Sequence, residues 1–287
     1  MKTLLFFFTF LLICLQSAYA IDEGTAKGTI TVNNETIVIS HVYVHLHDNA
    51  EGLLDYPKEL RIVFSDRQVP QESLRGIIFL PVEDLAREDR MSGLMIRLNP
   101  NDPGKVVITL LHAPPTSRHS LMTLTLSSTD KKLFKKLIVS KTRVDGDIEH
   151  FDTRESGGTD LPKLSYKAIF SAPLFNELPI TADLKGAAAQ KSPQIKVYRE
   201  KIIAMKKGDF ETVKRLSSER ANRRDAAMLA QLGDQAKGMA AEGAREMEQS
   251  LKEVKRVVVR GDSAVILFSK KQWVTFVREG TNWKTDD

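Results

Sequence analysis

The sequence is poor in cysteine, in histidine and in long apolar runs, and each shortage excludes a class of protein. Cys14 is the only cysteine in 287 residues, so a fold stapled by internal disulfides is excluded. After the first twenty residues no apolar run approaches the roughly 20 residues that a spanning helix needs, and we expect no transmembrane anchor. The last histidine is His150, so residues 151–287 have no imidazole for acid–base or metal chemistry.

The first twenty residues have the three parts of a secretory signal peptide. Lys2 gives a positive start, 3–15 is an almost unbroken apolar stretch, and Ala18-Tyr19-Ala20 has the small-x-small pattern of a cleavage site. We therefore expect cleavage near Ala20 and a location in the bacterial periplasm, or secretion. Lipidation at Cys14 is the alternative, although Ile13 stands where lipoprotein processing resembles a demand for a small residue.

Residues 21–178 have the short, alternating apolar segments of a β-rich domain. Segments 26–32 and 35–46 flank Asn33-Asn34, a pair that suits a tight hairpin turn, and a phase change near Ser40 indicates a bulge. Residues 81–87 are typical of one or two helical turns. These features predict an all-β, sandwich-like N-terminal domain. Further strands are predicted at 60–65, 93–98, 105–111, 120–126, 137–143 and 164–171.

Residues 179–192 lack strand signals and are predicted to be a linker, after which the apolar period becomes helical. Tyr198, Ile202 and Met205 recur at helical spacing, and two further helices are predicted, the last at about 221–249. The period then falls to two residues, which predicts an antiparallel meander to the end of the chain. Residues 193–287 are therefore predicted to be an α+β C-terminal domain.

Three motifs in this C-terminal part carry a resemblance to a known fold. They are 207–213 (KGDFETV), 257–265 (VVVRGDSAV) and 273–284 (WVTFVREGTNWK). In this order they resemble the nuclear-transport-factor-two-like, or SnoaL-like, cone fold over 193–286. The resemblance implies a cone-shaped α+β domain in which Trp283 closes the core against the first helix, and a homodimer through the C-terminal sheet. The N-terminal part loosely resembles β-rich modules of uncharacterised secreted bacterial proteins.

The cone fold hosts enzymes, adaptors and inert modules, so the resemblance does not fix a function. Its enzymes resemble one another in placing an Asp, His or Tyr inside an apolar cavity. Here Asp262 and Glu279 fall in predicted turns, which leaves Tyr198 and Asp225 as candidates. We expect an exported, non-catalytic binding or scaffolding protein with a protein partner or a small ligand. The alternative is a hydrolase or isomerase with a pocket in the C-terminal cone.

Positive charge is concentrated in the helical part of the second half. The chain has a formal net charge of +5, and residues 191–260 contain 17 basic and 10 acidic side chains. Aromatic residues do not interleave with these bases, so no nucleic-acid partner is expected. The mixed signs are typical of solvated helix faces. Contact with an anionic partner or with lipid headgroups is the alternative.

Histidines alternate along one predicted strand. His41, His45 and His47 are separated by apolar residues, so the three imidazoles are expected on one face. A His-x-His pair on a strand can place two nitrogens on one metal ion. Zinc at His41, His45 and His47 is therefore a hypothesis, with a third ligand available from one of several residues. The alternative is a polar strand face in contact with solvent. The residues that could supply the third ligand are Asp48, His112 and His119.

Overall fold

The computed structural model describes residues 24–70, 73–74, 80–112, 121, 123–126, 133–151, 163–232, 235–269 and 272–286. The chain divides into two compact units that alternate along the sequence. Unit 1 comprises Met1–His47, Glu59–Arg75 and Leu85–Asn176, and unit 2 comprises Asp48–Lys58, Gly76–Asp84 and Glu177–Asp287. The predicted signal peptide, with Cys14 and Ala20, lies outside the described residues, as does His119.

Unit 1 is built on one nine-stranded sheet. Its strands are β1 (Gly24–Val32), β2 (Glu35–His47), β3 (Glu59–Ser65), β4 (Gly93–Asn99), β5 (Asp102–Leu111), β6 (Thr123–Leu126), β7 (Phe134–Val139), β8 (Arg143–His150) and β9 (Leu164–Asn176). Their order in the sheet is β6-β5-β4-β3-β2-β1-β9-β8-β7. A short helix, α1 (Leu80–Arg87), lies between β3 and β4 in the sequence. The β-rich prediction for the first half is confirmed, and the helical turns predicted at 81–87 are present.

The sheet curls, so its strands form one continuous sheet where two packed sheets of a sandwich were expected. Strand β1 lies between β2 and β9, but the far ends of β2 and β9 pair directly, with Val44 opposite Leu174. Aliphatic residues from all along the curl share one core, in which the rings of Phe64 and Phe170 are 5.1 Å apart. The backbones of β1 and β9 lie close together at Gly28. A Cβ on this residue would lie 2.2 Å from the Lys167 carbonyl oxygen, so glycine permits the approach.

The first hairpin agrees with the sequence prediction in its turn and differs in its bulge. Asn33 adopts a positive φ of 55° in the tight turn between β1 and β2. The irregularity predicted near Ser40 is present, but the extra residue belongs to β1, since Thr25 pairs with His41 and Gly28 pairs with Ile39. Burial along β1 keeps one alternation throughout, whereas the inward residues of β2 change from Ile39 to Val42. The alternation of β2 therefore locates the irregularity without showing which strand carries the extra residue.

The strand predicted at 137–143 is wrong, because a turn interrupts it. Strand β7 ends at Val139 and β8 begins at Arg143. The Ser140 hydroxyl accepts a hydrogen bond from the Arg143 backbone N–H at 2.9 Å and donates to the Arg143 carbonyl oxygen at 2.7 Å. A serine side chain that bonds to nearby backbone in this way stabilises a turn over continued extended structure.

Unit 2 is a five-stranded antiparallel sheet with helices on one face. Its helices are α2 (Gly186–Gln190), α3 (Pro193–Lys207), α4 (Phe210–Leu216), α5 (Glu219–Leu232) and α6 (Gln235–Lys252). Its strands are β10 (Ala182–Lys185), β11 (Arg256–Arg260), β12 (Ser263–Ser269), β13 (Gln272–Glu279) and β14 (Asn282–Thr285), in that order in the sheet. No helix within the described ranges combines the length and apolarity needed to cross a membrane.

The helix-then-meander order predicted for the second half is present, with two changes. Part of the predicted linker 179–192 is in secondary structure, because β10 pairs with β11 and α2 follows it directly. The long helix predicted at 221–249 is two helices, α5 and α6. Helix α3 begins where the Ser192 hydroxyl caps the Ile195 N–H at 3.3 Å, and it ends at Gly208 with a left-handed φ of 67°.

The face of the unit 2 sheet opposite the helices is covered by segments of unit 2 itself. Val258, Val265 and Leu267 form a small buried cluster there, against which Leu53 and Ile180 pack. Leu53 belongs to Asp48–Lys58, the segment that follows β2 in the sequence. The centre of the sheet surface through which the cone resemblance implied a homodimer is therefore covered by the chain.

Arg260 holds this covering segment on the sheet. Its guanidinium is 2% exposed; Nε donates to Glu51 Oε1 at 2.5 Å, and the other nitrogens donate to the Asp48 carboxylate and to the Leu178 carbonyl oxygen. Burial opposes the charged form, but the hydrogen bond and the charge of Glu51 outweigh it, so the pKa of Arg260 is raised. The arginine is thus charged and makes four hydrogen bonds inside unit 2.

Arg256 makes a second set of contacts on the same face of β11. Its Nε and Nη2 atoms donate to the two carboxylate oxygens of Asp183 at 2.6 and 2.9 Å, and Nη1 donates to the Ala50 carbonyl oxygen at 2.7 Å. Because Arg256 and Arg260 are four residues apart on one strand, both project from the same side of the sheet. Together they bind Asp48, Ala50 and Glu51 at the start of the covering segment, which we call the 48–58 segment.

Arg260→Ala is expected to destabilise unit 2 strongly. The substitution leaves the Glu51 carboxylate, which is completely buried, without its guanidinium. Removing one partner of a buried pair costs about 3–5 kcal/mol. Thermal and urea unfolding followed by circular dichroism measure the loss. Arg223→Ala is the control, since its i,i+4 pair with Glu219 is exposed and contributes about 0.5 kcal/mol. Equal midpoints for the two variants would contradict the account.

Asp183→Asn is expected to lower stability at neutral pH and to have little effect in acid. The hydrogen bond from Arg256 holds the pKa of Asp183 below its usual value. A depressed carboxylate pKa stabilises the fold above the unfolded-state pKa, about 3.9, and that stabilisation is lost as pH falls through the folded-state value. The gap between wild-type and variant unfolding midpoints should therefore narrow from pH 6 to pH 2. When Arg256 is replaced by glutamine, adding Asp183→Asn should not change the unfolding midpoint at any pH in this range.

Candidate functional site

The predicted histidine face exists on β2, and it turns away from the main core of unit 1. Val42 and Val44 point into the core inside the curl, whereas His41, His45 and His47 lie on the opposite side of the strand. Neither His45 nor His47 contacts solvent appreciably, at 4% and 1% exposed. The alternative of a solvated polar face is therefore wrong for these two residues.

Neighbouring strands add charged side chains to this face. His45 pairs across the sheet with Arg61 of β3, which pairs with Arg97 of β4, and His47 pairs with Glu59. Directly opposed residues on adjacent strands have Cβ atoms about 5 Å apart. The pairing therefore produces a polar row, which we call the His–Arg row, made of His45, His47, Glu59, Arg61 and Arg97.

The His–Arg row is held by an internal ion pair. Arg61 Nε lies 2.7 Å from Glu59 Oε1, and the two side chains are 4% and 2% exposed. Arg97 Nε is buried and has no hydrogen-bond partner within the described part of the chain. Like charges on directly opposed strand positions are unfavourable, so the single carboxylate of Glu59 is important for the stability of the row. Sequence reasoning missed Glu59, Arg61 and Arg97, because only the strand register brings them beside the histidines.

The structure brings His45 and His47 together and keeps His41 apart. The rings of His45 and His47 have centroids 6.4 Å apart. His41 lies four residues from His45, roughly 13 Å along an extended strand, so the three imidazoles cannot share one ion. In the ranges that the structure describes, no group of three or more His, Cys, Asp or Glu side chains is arranged to hold a metal.

The third ligands considered for zinc are engaged elsewhere. His112 Nε2 lies 3.4 Å from Glu35 Oε2, and His112 Nδ1 lies 3.2 Å from the Ser92 hydroxyl. The Asp48 carboxylate accepts hydrogen bonds from Arg260. The zinc hypothesis therefore rests on the His45–His47 pair, without a third ligand from either of these residues.

The interior of unit 2 is the second candidate site, and side chains fill it. The ring of Tyr198 lies 5.9 Å from that of Phe268 and 6.4 Å from that of Phe276. Trp283 packs against the same cluster. Aromatic rings in tilted and edge-on contact at these distances are typical of a packed core.

Polar groups near this core serve structural contacts. The Lys201 ammonium, 9% exposed in the helix-to-sheet interior, donates to the Thr285 hydroxyl at 2.7 Å. Asp225 does not face Tyr198 in the core: its carboxylate lies 3.6 Å from Arg224 and is 30% exposed. Asp262 pairs with Arg278 at 2.5 Å in an exposed position. The acid–base pairs considered from the sequence are therefore not assembled.

Tyr166 is a buried phenol of unit 1 whose pKa is clearly displaced. It is 3% exposed in the curl, where its ring stacks on His150 at 5.2 Å. Burial raises the pKa of Tyr166 far above its usual value. The group therefore stays a neutral phenol at physiological pH and is unsuited to act as a base.

No protein-family model matches the chain, and no curated protein or solved structure matches it either. Its function has to follow from the contacts described above.

Glu59→Gln is expected to lower the stability of unit 1 by about 2 kcal/mol or more, because Arg61 loses its buried counter-charge. Glu88→Gln is the matched control, since its partner Arg90 is half exposed and such pairs contribute about 0–1 kcal/mol. Chemical unfolding monitored by circular dichroism compares the two variants. A Glu59→Gln protein as stable as Glu88→Gln would show that the carboxylate is not needed in the row.

Proposed function

We propose that this protein is an exported, non-catalytic binding or scaffolding protein of the bacterial cell envelope, and that its second unit is a cone-type module. The observation that supports this most directly is the filled interior of unit 2. Tyr198, Phe268, Phe276 and Trp283 occupy the space between helices and sheet. An enzyme of this fold class would need an open apolar pocket there, with an acid or base projecting into it.

Ion pairs in unit 2 support a structural use of its charges. Arg220 Nη1 donates to Asp84 Oδ2 at 2.5 Å, and Arg220 Nε donates to Asp286 Oδ1 at 3.2 Å. The Ser218 hydroxyl donates to the same Asp286 carboxylate. These contacts fasten the chain end to the start of α5.

The surface of unit 1 supports recognition of a protein partner. Val38 of β2 and Ile169 of β9 are 66% and 61% exposed on the outer face of the sheet. Both flank β1, where Val38 pairs with Thr29 and Ile169 pairs with Lys27. Exposed aliphatic residues on a rigid sheet, surrounded by polar ones, are typical of contact surfaces. We therefore place partner binding on this face and not on the covered sheet of unit 2.

Export is tested by producing the complete gene with a C-terminal tag in a bacterial host and separating periplasm from cytoplasm. We expect a periplasmic protein whose mass and N-terminus correspond to cleavage after Ala20. An Ala20→Tyr variant should accumulate unprocessed, because signal peptidase requires a small residue there. A wild-type protein that stays in the cytoplasm with its first twenty residues attached would overturn the envelope assignment.

Binding is separated from catalysis by native mass spectrometry of the tagged protein released from its own envelope. We expect a stoichiometric complex with another protein chain, unchanged in Tyr198→Phe and weakened in a Val38→Asp/Ile169→Asp variant. The phenylalanine variant keeps the ring in the core and removes only the hydroxyl. A small molecule that co-purifies with unit 2, and whose conversion is lost in Tyr198→Phe, would favour the hydrolase or isomerase alternative.

A further inference from the structure

Helix α3 presents a basic stripe with an apolar residue at its centre. Between 196 and 207 the exposed residues are Lys196, Arg199, Glu200, Ile203, Lys206 and Lys207, four basic and one acidic. At 100° per residue all six fall within about one third of the helix circumference. Ile203 lies in the middle of this arc and is 53% exposed. The buried residues of the helix, among them Tyr198 and Ile202, face the core on the other side.

The contacts of the stripe leave it strongly positive. Lys206 Nζ lies 2.6 Å from Glu248 Oε2, with 38% and 52% of the two side chains exposed. Arg199 donates to the Gln190 side-chain oxygen at 2.5 Å, a neutral acceptor. Exposed pairs such as Lys206–Glu248 are weak and exchange readily with other charges. The stripe itself has a net charge of +3.

We infer that this stripe binds the anionic surface of a lipid bilayer. The stripe is straight and spans about 16 Å of helix at 1.5 Å per residue, so all of its side chains can reach one plane together. Lysine and arginine can extend their charged ends to headgroup phosphates while their methylene stems lie along apolar surface. Ile203, at the centre, inserts between the headgroups and adds burial of apolar area to the electrostatic attraction.

The side chains favour a bilayer over nucleic acid. Single-stranded nucleic acid is bound by aromatic side chains that stack on bases, and no aromatic residue lies among the exposed residues of α3. An exposed isoleucine gains nothing from a phosphate backbone, whereas it is stabilised in the boundary between headgroups and acyl chains. The binding is peripheral and reversible, because a few basic residues and one apolar side chain are a small set of contacts.

The test is co-sedimentation with sucrose-loaded vesicles of two compositions. The neutral vesicles contain phosphatidylcholine alone, and the anionic vesicles also contain about 30 mol % phosphatidylglycerol. Wild type and variants are produced from the same gene, so that all share one N-terminus. The vesicle binding of each variant is then compared with that of wild type. We expect the partition onto anionic vesicles to be at least tenfold stronger than onto neutral ones and to fall as salt rises. Lys196→Glu/Lys207→Glu should remove most of this preference.

Two further variants separate the contributions. Lys136→Glu/Lys141→Glu changes the net charge by the same amount at exposed sites of unit 1, outside α3, and it should keep the partition within twofold of wild type. Ile203→Ser should weaken partition severalfold while leaving its salt dependence unchanged. Equal losses in the two charge-reversed variants would show a general charge effect and overturn the assignment to α3. So would equal binding of wild type to neutral and anionic vesicles, or a Lys196→Glu/Lys207→Glu protein that binds like wild type.

Discussion

The ion pairs of β11 are the interaction on which unit 2 depends. A charged guanidinium with almost no exposure costs several kcal/mol to desolvate, and it is tolerated only when its donors are satisfied. Arg260 meets this condition with Glu51, Asp48 and the Leu178 carbonyl. Its two carboxylate partners, Asp48 and Glu51, are more than 200 residues away in the sequence. These pairs, together with the packing of Leu53 and Ile180, hold the cover on the second face of the unit 2 sheet.

The distance in sequence between contacting residues explains which parts of the structure could be predicted from the sequence. Hairpins and helices follow from local signals, and the Asn33 turn and the Ser192 cap of α3 are examples. Strand β10 has four half-exposed or exposed residues and no apolar run, so its pairing with β11 left no local signal. Segment 48–58 joins unit 2 through long-range pairs, which no window of sequence shows.

The candidate site was predictable only in part for the same reason. The alternation of His45 and His47 placed both on one strand face, and the structure agrees. Their burial beside Arg61 and Glu59 depends on the register of β2 with β3. That register is set when the two strands pair, and neither segment of sequence shows it by itself. Arginine in a sequence indicates surface, so neither Arg61 nor Arg260 was expected inside. In both units the buried arginines serve to hold strands and segments in place, and the interior of unit 2 is filled by aromatic rings.

Hydrogen–deuterium exchange of wild type and Glu51→Gln, followed by mass spectrometry, tests the central claim most directly. The account predicts that peptides from 48–58 and from β11 lose protection together, because the segment and the strand share Arg260. Peptides from β7 and β8 in unit 1 should exchange at the wild-type rate. Unchanged protection of 48–58 in the variant would show that the segment is held by other contacts and that the arginine pairs are incidental.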